Sequence, residues 1–103
     1  MLTFAIVDDD DYDRNHMHRL LTRIASEMGL KAEILLYNNG LDFLAAPCCD
    51  LVFMDIHMDP LDGLKTARLL REKCMTVILV FMTAGENHYP DAFSVRAFDY
   101  IRK

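Results

Sequence analysis

Four consecutive carboxylates, Asp8, Asp9, Asp10 and Asp11, follow directly on the apolar run Phe4-Ala5-Ile6-Val7, and Asp55 ends a second such run, Leu51-Val52-Phe53-Met54. Ionised carboxylates gathered in one place raise one another's pKa values unless positive charge sits among them. A hard divalent cation with oxygen ligands meets that need, and Mg2+ is the ion the pattern points to. Helix capping accounts for one or two of the four acids, since Asp is favoured at the N-cap and in the first turn, but it leaves Asp55 unexplained. Thr83 and Lys103 each follow a further apolar stretch. Acids to hold a metal, one acid to react, and a hydroxyl and an ammonium to bind anionic oxygens are the parts phosphoryl transfer requires, because its catalysis is mostly positioning and charge neutralisation.

These side chains meet only if the chain delivers them to one edge. Apolar runs rich in branched residues alternate with segments of helical period, the pattern of repeated βα units and a parallel sheet. Strands are expected near 2–7, 32–37, 51–54, 77–82 and 98–101. Met17, Leu20, Leu21, Ile24 and Met28 fall on one face of a first helix, which Gly29 is placed to stop. Asn38-Asn39-Gly40 turns into a short helix carrying Leu41, Phe43 and Leu44, closed by Pro47. Leu64, Ala67, Leu70 and Cys74 mark a third helix entered through Asp62-Gly63, and a fourth is expected over about 89–96 with Pro90 in its first turn. In an open doubly wound sheet, ligands bind beyond the carboxyl ends of the strands. Asp8 to Asp11, Asp55, Thr83 and Lys103 all follow such ends.

The 103 residues are enough for one domain, and 52% apolar with 26% charged residues is ordinary for a globular chain. A net charge of −5 argues against this segment gripping nucleic acid or an anionic membrane by itself. No apolar stretch approaches the roughly 18–20 residues of a membrane span, and the start lacks a signal-peptide pattern, so a cytoplasmic location is expected. Three cysteines, two of them adjacent, do not make a disulfide framework or a zinc spacing, and reduced thiols are the expectation.

The chain resembles the receiver domain of two-component response regulators. The matching segments are Ile6-Val7-Asp8-Asp9-Asp10, Met54-Asp55-Ile56-His57-Met58 through Asp62-Gly63, Met82-Thr83-Ala84, and Ala97-Phe98-Asp99-Tyr100-Ile101-Arg102-Lys103. The run from Asp91 to Tyr100 is most similar to receivers that precede a LytTR-type DNA-binding domain. The resemblance implies an α/β, flavodoxin-like, doubly wound sheet of five parallel strands in the order 2-1-3-4-5. It also implies a Pro after Lys103 and a fifth helix. The sequence ends at Lys103, so residues 1–103 read as a receiver domain truncated at its C-terminus, with the fifth helix missing.

Carried over by position, the resemblance makes Asp55 the phospho-acceptor and Asp9 the direct acidic ligand of Mg2+. Asp8 acts mainly through water, and His57 offers its backbone carbonyl. Thr83 bonds a phosphoryl oxygen, Lys103 pairs with Asp55 or its phosphate, and Tyr100 is the aromatic switch. Asp10 and Asp11 belong to the helix start. Asp59 stands where the family often has proline and is expected to face water. His16 and His18, two apart on a helix, point to different faces, and His88 is a loop residue. The implied partner is a sensor histidine kinase. A homodimer would use the uncovered sheet face, or helix four with strand five. Two other functions compete: a Mg-dependent phosphatase of the haloacid dehalogenase class, for which the acidic tract lacks the expected Asp-x-Asp ending, and an interaction module that keeps the fold without phosphorylation.

Overall fold

The structure is a computed structural model, and it describes residues 1–84 and 94–102. Five parallel strands form one sheet in the order β2-β1-β3-β4-β5: β1 Leu2–Val7, β2 Ala32–Tyr37, β3 Leu51–Asp55, β4 Ile78–Thr83 and β5 Asp99–Arg102. The three central strands read as near-continuous apolar runs because parallel strands bury both faces. Val7 is in register with Tyr37 on one side and Met54 on the other, so β1 and β3 release the chain at the same level.

The opposite end of the sheet is drawn together by Asp50. Its carboxylate accepts the Thr3 N–H at 2.8 Å, its own N–H donates to the Thr3 carbonyl at 2.9 Å, and its carbonyl accepts the Ile78 N–H at 3.0 Å. One residue thereby joins the starts of β1, β3 and β4.

Helix α1 spans Asp11–Glu27. Asp10 is its N-cap, accepting the Asp13 N–H at 2.8 Å, as the residue type predicts. Beyond its last turn Gly29 adopts φ +68°, Gly29 N–H reaches the Ser26 carbonyl and Leu30 N–H the Ala25 carbonyl, the paired bonds of a Schellman stop. The helix buries Leu21 and Ala25, with Leu21 packing on Ile6 and Met82. Two members of the expected apolar face are corrected: Ile24 is 39% and Met28 66% exposed. Ile24 precedes the buried Ala25 and so lies beside the stripe that meets the sheet, whereas Met28 is the C-cap residue at the helix end.

Helices α2 (Gly40–Ala45) and α3 (Gly63–Lys73) cover the other face, where Phe43, Ala67 and Leu70 join Ala5, Val7, Val52, Met54, Leu79 and Phe81 in the larger core. Asn39 and Asp62 cap them, each accepting an N–H three residues on at 2.8 Å. Arg71 ends α3 as a clasp. Its guanidinium donates to the carbonyls of Val95 and Val77 at 2.7 Å each and of Arg96 at 2.9 Å, tying α3 to the segment that leads into β5.

The cysteine reading is overturned. Cys48 and Cys74 are joined by a disulfide across 26 residues of sequence, and Cys49 alone is free. Sequence spacing does not show that α3 runs back along the sheet, so that its C-cap, Cys74, meets the loop before β3. The expected helix over 89–96 and His88 lie largely or wholly outside the described residues, and so does Lys103.

Candidate functional site

The acidic edge is built by strand register. Asp8 is the first residue past β1 and Asp55 the last of β3, and both are buried, at 0% and 3% exposure. Asp9 is exposed. One carboxylate oxygen from each of Asp8, Asp9 and Asp55 lies within 4.8 Å of the others. That is an all-oxygen set with two buried members and one facing solvent, the donor chemistry a hard divalent cation takes.

The surrounding groups hold these acids in place. Asp8 Oδ1 accepts the Asp10 N–H at 3.0 Å, and the Asp8 carbonyl accepts Arg14 Nη1 at 2.9 Å. Arg14 also pairs with Asp11 from the first turn of α1, bringing a positive charge to the acidic tract. Sequence reasoning missed Arg14; its position three residues after Asp11 on a helix was the available signal. Gly63, read from the sequence only as the entry to the third helix, has a further part at the site. A Cβ there would sit 2.2 Å from the Asp55 carbonyl oxygen and 2.8 Å from Ile56 Cα, so the start of α3 lies directly against the backbone that carries Asp55. The Gly63 N–H donates to the Ile56 carbonyl at 2.8 Å, fixing that approach.

Thr83 is the last residue of β4 and is buried. Asp55 is in register with Met82, which puts Thr83 one residue farther along the same edge. His57 is exposed, and its N–H lies 3.4 Å from Asp55 Oδ1. His57, Met58, Asp59 and Asp62 line an open cavity of about 300 Å3 in the loop that follows Asp55. Asp59 faces solvent, as expected. Tyr100 lies in β5, in register with Phe81. Asp8, Asp9, Asp55 and Thr83 are thus delivered to one edge, while Lys103 is outside the described residues.

The response regulator receiver domain family matches residues 4–103. The chain belongs to that family. The receiver domain is 32% identical over 103 residues to the sensory transduction protein LytT of Bacillus cereus, covering 100% of this chain and 42% of that protein. It spans about two fifths of the length of the first curated relatives it matches. Among solved structures it is similar to the response regulatory domain of MrkE from Klebsiella pneumoniae, with 30% identity and a TM-score of 0.81 over 99% of this chain and 83% of that one. It is also similar to the response regulator TrrA of Thermotoga maritima in complex with Mg2+ and BeF, with 28% identity and a TM-score of 0.78 over 100% of this chain and 87% of that one. The flavodoxin-like order that the resemblance implies is the order observed. Membership of the receiver family sets aside the haloacid dehalogenase reading, and no helix among the described residues is long and apolar enough to cross a membrane.

Proposed function

We propose that the receiver domain takes a phosphoryl group on Asp55 from the phosphohistidine of a sensor histidine kinase. The observation that carries this reading is the buried Asp55 carboxylate grouped with Asp8 and Asp9 at the carboxyl edge of the sheet. A carboxylate attacking a phosphoryl group approaches like charge, and this edge gathers the means to offset it. Asp8, Asp9 and Asp55, with the His57 carbonyl, would hold Mg2+, which when bound neutralises charge on the phosphoryl oxygens. The similarity to a receiver solved with Mg2+ and BeF supports that ion.

An Asp55 carboxylate oxygen forms the new O–P bond as the bond from phosphorus to the donor nitrogen breaks, and the imidazole leaves with the electron pair. Thr83 bonds a phosphoryl oxygen and Lys103 pairs with another. A hydroxyl that contacts phosphate in one state supplies the differential free energy a switch needs, and Tyr100 responds in β5. The protein is cytoplasmic, and its output is transcription through a LytTR-type DNA-binding domain in a longer chain, a reading supported by the similarity to LytT and by the share of that relative this chain covers. A fifth helix following Lys103 completes the domain in that longer chain, and the face bearing Ile78, which is 48% exposed, is its seat or that of a homotypic contact.

Intact-mass spectrometry with Mg2+ and acetyl phosphate tests the assignment. A gain of one phosphoryl group, absent in Asp55→Asn, is expected. A gain that survives Asp55→Asn, or none in a folded sample, refutes it.

A further inference from the structure

We infer that Cys48 and Cys74 form a reversible thiol–disulfide site that closes the βα unit carrying Asp55 into a ring, with the exposed residue Cys48 as the point of exchange and Cys74 as its buried partner. The bond joins the loop before β3 to the C-cap of α3, with Cα atoms 6.0 Å apart, so the ring it closes contains all of β3, the loop from Ile56 to Asp62, and α3. No other pair of residues in the described chain is so placed to tie both ends of that unit covalently, since Cys49 is the remaining cysteine.

The two residues differ in access. Cys48 is exposed, whereas Cys74 is 6% exposed within the larger core. Exchange proceeds by attack of a thiolate on a disulfide sulfur, and access selects which sulfur is attacked. A soluble thiol therefore reaches Cys48 and forms a mixed disulfide there, and Cys74 departs as a thiolate that takes up a proton. A second donor thiol then releases Cys48, and the two donor molecules leave as their own disulfide. In the reverse direction a peroxide oxidises the Cys48 thiol to a sulfenic acid, releasing one water. The Cys74 sulfur attacks that sulfenic sulfur, and a second water leaves as the disulfide closes.

The seam is held together independently of the bond. Lys73, next to Cys74, donates from Nζ to the Leu44 carbonyl at 2.7 Å and also to the Ala46 carbonyl, two residues from Cys48. The opened thiols thus remain neighbours, and reclosure is an intramolecular step between positioned groups. Cys49 does not compete. Adjacent Cα atoms are about 3.8 Å apart, below the usual span of a disulfide. Its side chain packs on the larger core beside Tyr37, and burial holds its thiol above the ordinary value, so little of it is the reactive thiolate.

The test counts thiols in the native protein. After dithiothreitol, all three cysteines should be alkylated under denaturing conditions; after oxidised glutathione or hydrogen peroxide, one should be, and peptide mapping should place it at Cys49. Closing a ring of this size should raise the melting temperature of the oxidised form by on the order of 10 °C. Cys48→Ser, an exposed substitution that does not threaten folding, should abolish both the cross-link and the redox dependence of melting. Cys49→Ser should keep both, and Cys74→Ala should match Cys48→Ser in its thiol count. Three alkylated thiols after the oxidant, a cross-link through Cys49, or a Cys48–Cys74 bond that native-state dithiothreitol leaves intact would each overturn the inference.

Discussion

Replacing Gly63 by alanine should damage stability and phosphorylation together. A built Cβ meets the Asp55 carbonyl oxygen at 2.2 Å, Ile56 Cα at 2.8 Å and the Asp55 carbonyl carbon at 3.0 Å. Non-bonded carbons rest about 3.5 Å from their neighbours, so roughly 1 Å of overlap has to be removed. All three obstacles are backbone atoms at the end of a strand paired on both sides, and none can rotate away as a side chain would. Overpacking of this kind costs about 1–3 kcal/mol. Alanine recovers at most about 0.5–1 kcal/mol over glycine inside a helix, and less at the first helical position, where Gly63 stands. The net loss should be about 1–3 kcal/mol, a fall in melting temperature of roughly 5–20 °C for a domain of this size. Because two of the three obstructing atoms belong to Asp55, the rate of phosphoryl gain should fall as well. Gly29→Ala is the control: nothing lies within 4 Å of its Cβ, and the substitution pays only for φ +68°, about 1 kcal/mol, with phosphorylation unchanged. Denaturant melts and single-turnover mass measurements on both variants decide the matter. A Gly63→Ala protein that melts and phosphorylates like the parent would refute the close-approach argument.

Arg71→Ala should cost about 2–4 kcal/mol, because it strands the carbonyls of Val77, Val95 and Arg96 that the guanidinium serves, and Arg71→Lys should recover less than half in urea melts, since one ammonium does not span them. Burial first, with the Asp50 charge adding to it, raises the Cys49 thiol above its ordinary value, so the unfolded chain gives up that proton before the folded one does. The resulting stability is complete below the pKa of the unfolded thiol and is lost as pH rises through the folded value; Cys49→Ala should reduce that alkaline loss in a stability profile carried upward through the thiol range. Thr83→Ala should keep some phosphorylation at Asp55 but weaken the beryllofluoride-induced change in amide exchange along β5, and equal changes in parent and variant would sink the coupling.

The strands were legible because buried parallel strands announce themselves as apolar runs, and the observed strands differ from the expected ones by a residue or less at either end. Asp10 as N-cap and Gly29 as helix stop were legible because each rests on local backbone chemistry. The grouping of Asp8, Asp9 and Asp55 was legible because consecutive strand ends share one edge whenever the sheet is parallel. What escaped depends on distance through space. Arg71 finds its carbonyls through the return of the chain toward β5, Gly63 is required by an approach of α3 to β3, and the Cys48–Cys74 pair exists only because α3 runs back along the sheet. Ile24 and Met28 differ from expectation for a related cause: periodicity gives an apolar face only broadly, so it does not show that the buried stripe runs through Leu21 and Ala25 beside Ile24, or that the helix closes at Met28.

The junction at Asp50 gives the sheet two unlike ends. At the starts of the strands, bonds to Thr3 and Ile78 lock β1, β3 and β4 in one register, while at their finish Asp8 and Asp55 crowd like charge together. A slip of even one residue would turn each strand's core-facing side chains to the wrong face, so the locked end leaves electrostatic stress no outlet along the strands. The sheet is mechanically a cantilever, fixed at its root and loaded at its tip. A gain or loss of charge at the tip therefore bears on the residues just past the locked strands, Asp9 and Asp10 after β1 and Ile56 and His57 after β3, and not on strand register.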